Sequence, residues 1–398
     1  MPTSRELFSG LVGRLRGFVS RLDRTGGLGL GLAFTGTVWT GGDAAPFEGT
    51  VVLDGAGRIQ RVGPDAAADL PAGVPRYGGA GYWIGPGLID AHVHLAFADP
   101  LPSLSTGLVA VRDLGAPPSV ARSVRTGHAL PPTGRPFVAV AGQIVTAPGG
   151  YPATSWGADG FAAFVTDPGR ARTVVNQLAT QGCDLIKLAL EPGDGEWPVP
   201  DPATARAVVQ AAHSAGLAVT AHALRADMVA RAVDVGVDEL AHTPTERLSP
   251  ELVERIADAS IGVVSTLQTF FSGGQGAAAA ANAADLVAAG VPLRYGTDFG
   301  NTGTRPGVDP RELDRLADTG LGRLGALRAA TVQAARSPGI RGRTGLLRVG
   351  EPAALVLLPG DPVREPGHWR TVAAVVVDGR LALPADSEVQ ERLQDWAP

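Results

Sequence analysis

The sequence has one cysteine, Cys183, in 398 residues, and it lacks any apolar run of the ~20 residues that a membrane-spanning helix requires. One cysteine excludes an internal disulfide and fits a reducing compartment, so we expect a cytoplasmic protein. The net charge of −5 argues against the basic surface that nucleic-acid binding requires. We therefore expect no membrane span and no nucleic acid partner, and a small molecule as the binding partner.

The start of the chain lacks the continuous apolar core and cleavage site of a signal peptide. Residues 1–28 show an amphipathic helical pattern instead, with leucine, valine and phenylalanine on one face and arginines at other positions. We expect a helical extension that docks on its own protein or on a second subunit. Docking on a second subunit would make the protein a homo-oligomer. A helix that lies on a membrane surface is the alternative.

The two ends of the chain share a pattern of short β segments. With 44% hydrophobic and 18% charged residues, the chain can bury a large core and form more than one domain. We expect one small β-sandwich domain built from residues 29–83 and 341–386. Its predicted strands are Leu32–Trp39, Thr50–Leu53, Ile59–Val62, Ala354–Leu358 and Val372–Val377.

The middle of the chain alternates apolar strand segments with helical patterns. Eight strands with intervening helices over residues 84–340 predict an α/β fold, a (β/α)8 TIM barrel. Asp201 and Ser249 each precede a proline and are predicted to begin helices. The predicted strands are Trp83–His94, Leu108–Arg112, Phe137–Val145, Leu185–Leu190, Ala218–His222, Glu239–His242, Gly262–Thr266 and Leu293–Asp298.

Five residues that can bind a metal fall at the ends of predicted barrel strands. His92 and His94 would point to the same face at the end of strand 1, because alternate side chains of a strand share a face. A His-x-His pair alone is equally compatible with paired core or surface histidines. However, His222 ends strand 5, His242 ends strand 6 and Asp298 ends strand 8. The carboxyl ends of barrel strands are where active sites form, so we interpret the set as a metal site.

Lys187 lies inside predicted strand 4 among apolar neighbours. Burial beside cations should lower the pKa of its amine, and a neutral amine can react with CO2. The resulting carbamate has two oxygens and could bridge two metal ions. The alternative is an ammonium group that pairs with a carboxylate such as Glu191.

The order of these residues resembles the metal-dependent amidohydrolase superfamily, and in particular its imidazolonepropionase-like and prolidase-like branch. The resemblance covers residues from about 30 to 383. It rests on Pro-Gly-Leu-Ile-Asp-Ala-His-Val-His (86–94), Val-Ala-Val-Arg-Asp-Leu-Gly (109–115), Ile-Lys (186–187), Gly-Val-Asp-Glu-Leu-Ala-His (236–242), Gly-Thr-Asp (296–298) and Ala-Leu-Arg-Ala-Ala-Thr (326–331).

The resemblance implies a binuclear site in an enzyme that hydrolyses a C–N bond. His92, His94 and Asp298 would hold one divalent ion, and His222 and His242 the second. A carboxylated Lys187 and a hydroxide would bridge the two ions. Asp298 would also act as the general base and then protonate the leaving nitrogen. Zinc is the expected metal, with manganese and iron as alternatives.

Two positions depart from the prolidase-like pattern and disfavour a dipeptidase. Tyr151 stands where relatives tend to place a histidine, and Ala223, Leu224 and Arg225 stand where relatives tend to carry a tyrosine. Arg225 could bind an anionic group instead, or it could pair with an aspartate on the following helix. By position after the strands, the candidate substrate-binding residues are Tyr151, Trp156, Arg225 and Gln268.

Three functions remain open at this point. The first is the binuclear hydrolase of an amide or cyclic amide. The second is a mononuclear deaminase or ring hydrolase of the same superfamily, which Lys187 and Arg225 disfavour, because deaminases tend to carry a glutamate at the position of Arg225. The third is a barrel that has lost its chemistry and serves as a scaffold.

Overall fold

The computed structural model describes residues 30–384, except 98–105, 129–135, 194, 196, 302 and 341. The predicted amphipathic helix over residues 1–28 lies outside the described residues. Within the described part of the chain, none of the helices combines the length and apolar character needed to cross a bilayer.

Strands from both chain ends form one seven-stranded sheet. The strand order is β17-β16-β15-β4-β1-β2-β3, so β4 lies between a strand from the first part of the chain and one from the last. These hydrogen bonds define a single sheet, and its packing as a sandwich stays a prediction. The strands are β1 Leu30–Val38, β2 Phe47–Asp54, β3 Ile59–Gly63, β4 Arg76–Pro86, β15 Leu355–Leu358, β16 Ala374–Val377 and β17 Arg380–Pro384.

The other strands are parallel and lie in two sheets. One contains β5-β6-β7, and the other has the order β14-β13-β12-β11-β10-β8-β9. Hydrogen bonds link the two sheets on both sides, from Ala91 N to Tyr295 O (3.0 Å) and from Asp184 N to Val140 O (2.8 Å). The strands are β5 Leu88–Val93, β6 Leu108–Asp113, β7 Phe137–Val140, β8 Ile144–Thr146, β9 Ala162–Phe164, β10 Ile186–Ala189, β11 Val219–His222, β12 Glu239–Leu240, β13 Gly262–Val264 and β14 Leu293–Arg294.

Two of the predicted barrel strands are divided in the structure. The segment Trp83–His94 belongs to two sheets, because β4 ends at Pro86 and β5 begins at Leu88. Proline has no backbone N–H for a further ladder bond, and a Cβ at Gly87 would lie 2.1 Å from Val109 Cγ1, so the chain turns here. The segment Phe137–Val145 is divided into β7 and β8 in the same way.

Helices follow most of the parallel strands. The predicted starts at Asp201 and Ser249 are confirmed, because each side chain accepts backbone N–H bonds in the first turn. Residues Gly322–Arg336 continue from the preceding helical segment through α, π and 3-10 turns. The helices are Pro118–His128, Pro168–Thr180, Pro202–Ser214, Ala226–Val235, Pro250–Asp258, Leu267–Ser272, Gly276–Ala288, Pro310–Leu316, Ala317–Leu321 (π), Gly322–Arg328, Ala329–Gln333 (π), Ala334–Arg336 (3-10) and Pro366–Arg370 (3-10).

A buried ionic network interrupts the apolar core of the parallel strands. Arg112 on β6 and Arg294 on β14 each donate to one carboxylate oxygen of Glu239 on β12, and all three are buried. Burial raises the pKa of Glu239, but the two guanidinium groups outweigh that effect and hold the pKa below its usual range. The carboxylate is thus the charge that makes two buried arginines tolerable.

We predict that Glu239→Ala lowers the free energy of unfolding by about 3–5 kcal/mol, because it leaves buried guanidinium charge uncompensated. The matched control is Asp234→Ala, which breaks the exposed Arg255–Asp234 pair (2.6 Å) and should cost less than about 1 kcal/mol. Denaturant unfolding measures both. Equal losses in the two variants would contradict the role of Glu239.

Candidate active site

The six predicted metal-site residues come together in one cavity of about 260 Å³. The strands bring them there: His92 lies on β5 and His94 directly after it, Lys187 is on β10, and His222 is the last residue of β11. The other two follow strands β12 and β14. All six are at most 5% exposed: His92, His94, Lys187, His222, His242 and Asp298.

Three of these residues converge on one point. Asp298 Oδ1 lies 3.3 Å from His92 Nε2 and 3.3 Å from His94 Nε2. All three atoms lie within 4.8 Å of one another. Neighbouring ligands of a tetrahedral zinc ion are about 3.3 Å apart, given bonds of about 2.0–2.1 Å. His92 Nε2 and Asp298 Oδ1 are also buried without any hydrogen-bond partner, and a divalent ion would satisfy both.

The histidine rings are oriented through their other nitrogen. His92 Nδ1 lies 2.8 Å from Ala241 O, and His242 Nδ1 lies 2.9 Å from Thr266 Oγ1. An N–H on Nδ1 leaves the lone pair of Nε2 free to bind a metal. Burial, together with neighbouring cationic groups, lowers the pKa of both histidines well below the usual range. The rings are therefore neutral at physiological pH, which is the form that binds metals.

The remaining members of the set extend the cluster from this point. The ring of His242 lies 4.5 Å from that of His92 and 4.7 Å from that of His222, measured between centroids. Burial lowers the pKa of Lys187 to about 7, against the opposing effect of Asp298. Lys187 is also the only lysine of the chain, since every other basic residue counted is an arginine. The amino-acid composition alone therefore singles out Lys187, and the prediction from strand position did not use this fact.

Asp90 holds the end of β5 against the segment that carries Asp298. Its Oδ1 accepts the backbone N–H groups of His92 (3.1 Å) and Thr297 (3.0 Å), and its Oδ2 accepts the Thr297 hydroxyl (2.5 Å). Asp298 N donates in turn to His92 O (2.8 Å). These bonds fix Asp298 in a left-handed conformation, with φ of 56°, and so set the position of its carboxylate. Burial raises the pKa of Asp90 to about 7.

Two of the four candidate substrate-binding residues line the cavity. The Tyr151 ring lies 4.5 Å from that of His222, and Trp156 Nε1 donates to Tyr151 Oη (3.0 Å). Arg225 is not among the cavity residues, because its guanidinium pairs with Asp227 (3.2 Å) and is 45% exposed.

Gln268 also lies outside the described cavity lining. Its backbone N donates to Glu312, and its side-chain amide donates to Ser272 Oγ. It belongs to the helix Leu267–Ser272, and Phe270 is the residue of this helix that reaches the cavity.

The sequence analysis did not predict several other residues that line the cavity. Glu191 follows β10 four residues after Lys187, and its Oε2 lies 3.6 Å from His222 Nε2. Its place just past a strand end was a signal for it. Ile144 is the first residue of β8, and the remaining residues come from loops or a short helix without a pattern. The missed lining residues are Ile144, Glu191, Trp197, Leu224, Phe270 and Asn301.

The chain belongs to the amidohydrolase family, whose model matches residues 141–382, more than half of the sequence. The predicted family is confirmed, and with it the enzyme class, since amidohydrolases hydrolyse carbon–nitrogen bonds. An uncharacterized protein of Mycobacterium tuberculosis strain H37Rv is 28% identical, over 76% of this chain and 86% of that protein.

Solved structures share the fold. A Xaa-Pro dipeptidase with bound methionine superposes with a TM-score of 0.77 at 21% identity, over 88% of this chain and 99% of that one. A putative prolidase from Bifidobacterium longum gives 0.75 at 24% identity, over 93% and 99%. The likeness establishes an α/β fold of the TIM-barrel type.

We predict that Thr297→Val lowers the free energy of unfolding by about 1–3 kcal/mol, because the buried Asp90 loses its hydroxyl partner. It should also weaken metal binding about 10–100-fold, since the segment that carries Asp298 is held less firmly. Denaturant unfolding and metal titration measure the two effects. The control, Thr173→Val on an exposed helical position, should change the unfolding free energy by less than about 0.5 kcal/mol. Unchanged metal affinity in Thr297→Val would contradict the positioning role of Asp90.

Proposed function

We propose that the protein is a binuclear metal-dependent hydrolase that cleaves the C–N bond of an amide or cyclic amide. One observation carries the proposal: His92 Nε2, His94 Nε2 and Asp298 Oδ1 converge, and two of these buried atoms have no hydrogen-bond partner. Unpaired buried lone pairs are costly, and a divalent ion bound by neutral imidazoles and a carboxylate removes that cost.

The donor set fits two ions. His92, His94 and Asp298 would hold the first, and His222 and His242 the second, with a carboxylated Lys187 between them. When bound, the ions would polarise the substrate carbonyl and lower the pKa of a water molecule. Zinc suits imidazole and carboxylate ligands, and manganese and iron are alternatives.

Two residues would carry the protons and the bridging charge. The carboxylate of Asp298 would take the proton from the attacking water and deliver it to the leaving nitrogen. The neutral amine of Lys187 would attack CO2, form an N–C bond and release a proton to solvent. Its pKa of about 7 supports this reaction, because a large fraction of the amine is unprotonated at neutral pH.

The proposed architecture serves this site. We propose that residues 84–340 form a closed (β/α)8 barrel, and that residues 29–83 and 341–386 form the β-sandwich domain. The inter-sheet bonds Ala91 N–Tyr295 O and Asp184 N–Val140 O support closure. Ile59 N also donates to Glu351 O (2.9 Å), which supports packing between the two ends of the terminal sheet. The proposed compartment is the cytoplasm, and the proposed partner is a small-molecule substrate.

One observation favours a second candidate, a mononuclear hydrolase of the same superfamily. Among the described residues, the group of histidine and acidic side chains whose ligand atoms converge within 4.8 Å is His92, His94 and Asp298. Three protein ligands and a water molecule suffice for one catalytic zinc ion. The number of bound ions separates the two candidates.

We predict two divalent ions per chain in the wild type. Lys187→Ala should retain one ion and lose most of the hydrolysis of a panel of amides and lactams. Elemental analysis counts the ions. Because the chain has one lysine, carbon-13 NMR after equilibration with labelled bicarbonate should show one side-chain carbamate signal, absent in the variant.

The matched control is Arg206→Ala, which removes an exposed cation from a helix and should leave metal content and turnover unchanged. One ion per chain in the wild type would favour the mononuclear candidate. Full metal content and turnover in Lys187→Ala would sink the bridging role of Lys187.

A further inference from the structure

Aromatic rings form one wall of the cavity beside the proposed metal ligands. The Trp156 ring lies 5.1 Å from the ring of His94, and the Tyr151 ring lies 4.5 Å from that of His222. Trp197 extends the wall, with its ring 5.5 Å from Tyr151. We call Tyr151, Trp156 and Trp197 the aromatic wall. Such rings bind flat apolar groups, and they bind aromatic rings more strongly through stacked or edge-to-face contacts.

The aromatic surface continues outward from the wall. Phe97 lies 5.6 Å from Trp156 and stacks on Phe161 at 5.3 Å, with ring planes 4° apart. Phe97 is 49% exposed, whereas Phe161 is buried beneath it. The ring contacts therefore continue from the cavity wall to the partly exposed Phe97.

A carboxylate lies in the wall of the same cavity. Glu191 is 7% exposed, and its Oε1 accepts the backbone N–H of Gly193 (2.8 Å). Its Oε2 is buried and has no hydrogen-bond partner, and it lies 3.6 Å from His222 Nε2. The cavity therefore presents an anionic oxygen beside the proposed ligands of the second ion.

Arg225, a candidate cation that could pair with a substrate carboxylate, is not among the residues that line the cavity. The guanidinium of Arg225, in the loop after β11, pairs with Asp227 outside the cavity lining. Among the described lining residues, the basic side chain other than histidine is Lys187, which belongs to the proposed metal site.

We propose that the cavity selects amides that carry an aromatic ring and no carboxylate on that ring. The aromatic wall would bind the ring, and Glu191 would repel a carboxylate. The inference rests on the proposed hydrolase function, and it assigns the substrate class of that site. Two like charges close together in a buried cavity repel each other, so a discrimination of at least about tenfold is expected.

The test uses ketones that mimic aryl amides but cannot be hydrolysed, so that binding is measured apart from turnover. The metal-loaded enzyme is titrated calorimetrically with para-methylphenylacetone, with its carboxylate analogue para-acetonylbenzoate, and with para-methylcyclohexylacetone. We expect the neutral aryl ketone to bind at least about tenfold more tightly than the benzoate. It should also bind about three- to tenfold more tightly than the cyclohexyl ketone.

Variants assign these preferences to residues. Glu191→Gln should tighten benzoate binding about tenfold and leave the neutral aryl ketone within about twofold. Trp156→Leu should remove the preference for the aryl over the cyclohexyl ketone. The matched control is Glu254→Gln, the same change at an exposed helical position, which should alter neither affinity. Arg225→Gln should also leave benzoate binding unchanged.

Several results would overturn the inference. These are benzoate binding as tight as that of the neutral ketone, no measurable binding of either aryl ketone, or weaker benzoate binding in Arg225→Gln. Loss of a metal ion in Glu191→Gln would make Glu191 a metal ligand rather than a selector of substrates. Failure of the proposed function itself has a different signature: the ketones bind as expected, but the corresponding acetanilide is not hydrolysed.

Discussion

Hydrogen bonds to the buried Asp90 carboxylate hold the end of β5 against the residues that follow β14. The same carboxylate accepts the backbone N–H of His92 and both the backbone N–H and the hydroxyl of Thr297. His92 lies two residues before His94, and Thr297 directly precedes Asp298. Side chains more than 200 positions apart in the sequence thereby reach a separation of 3.3 Å. The geometry of the proposed metal site depends on this junction.

Buried charged side chains near this junction offset one another in their effects on Lys187. Arg112 and Arg294 both pair with Glu239, and Arg112 and Glu239 act on the pKa of Lys187 with opposite signs. The protein therefore buries a charged network close to a lysine without fixing that lysine as a cation. Burial then dominates, and the amine becomes available for chemistry.

Much of the site was predictable because strand ends impose a strong rule. His92, His94, His222 and His242 were placed by their position after apolar strands, and the structure brings them into one cavity with Asp298. The position of a residue relative to a strand does not predict which loop residues line the cavity. Gln268 was chosen for its place after β13, but a short helix turns it away and presents Phe270.

Local sequence patterns also failed where tertiary contacts decide. The run from Trp83 to His94 looks like one strand, yet the chain passes from one sheet to another at Pro86 and Gly87, beside Val109. The sequence left two roles open for Arg225, the binding of an anionic group and pairing with an aspartate on the following helix. In the structure Arg225 pairs with Asp227. Glu191 was considered only as a partner of Lys187, whereas it lies against His222.

We propose above all that the convergent nitrogen and oxygen atoms at the strand ends bind metal. The most direct measurement is an anomalous difference map, collected at the absorption edge of the bound metal, from crystals of the enzyme purified without chelators. We expect one anomalous peak between His92, His94 and Asp298 and a second beside His222 and His242. The ordinary electron-density map of the same crystals should show a carbamate on Lys187 between them. A map from metal-replete crystals without a peak at His92, His94 and Asp298 would contradict the claim.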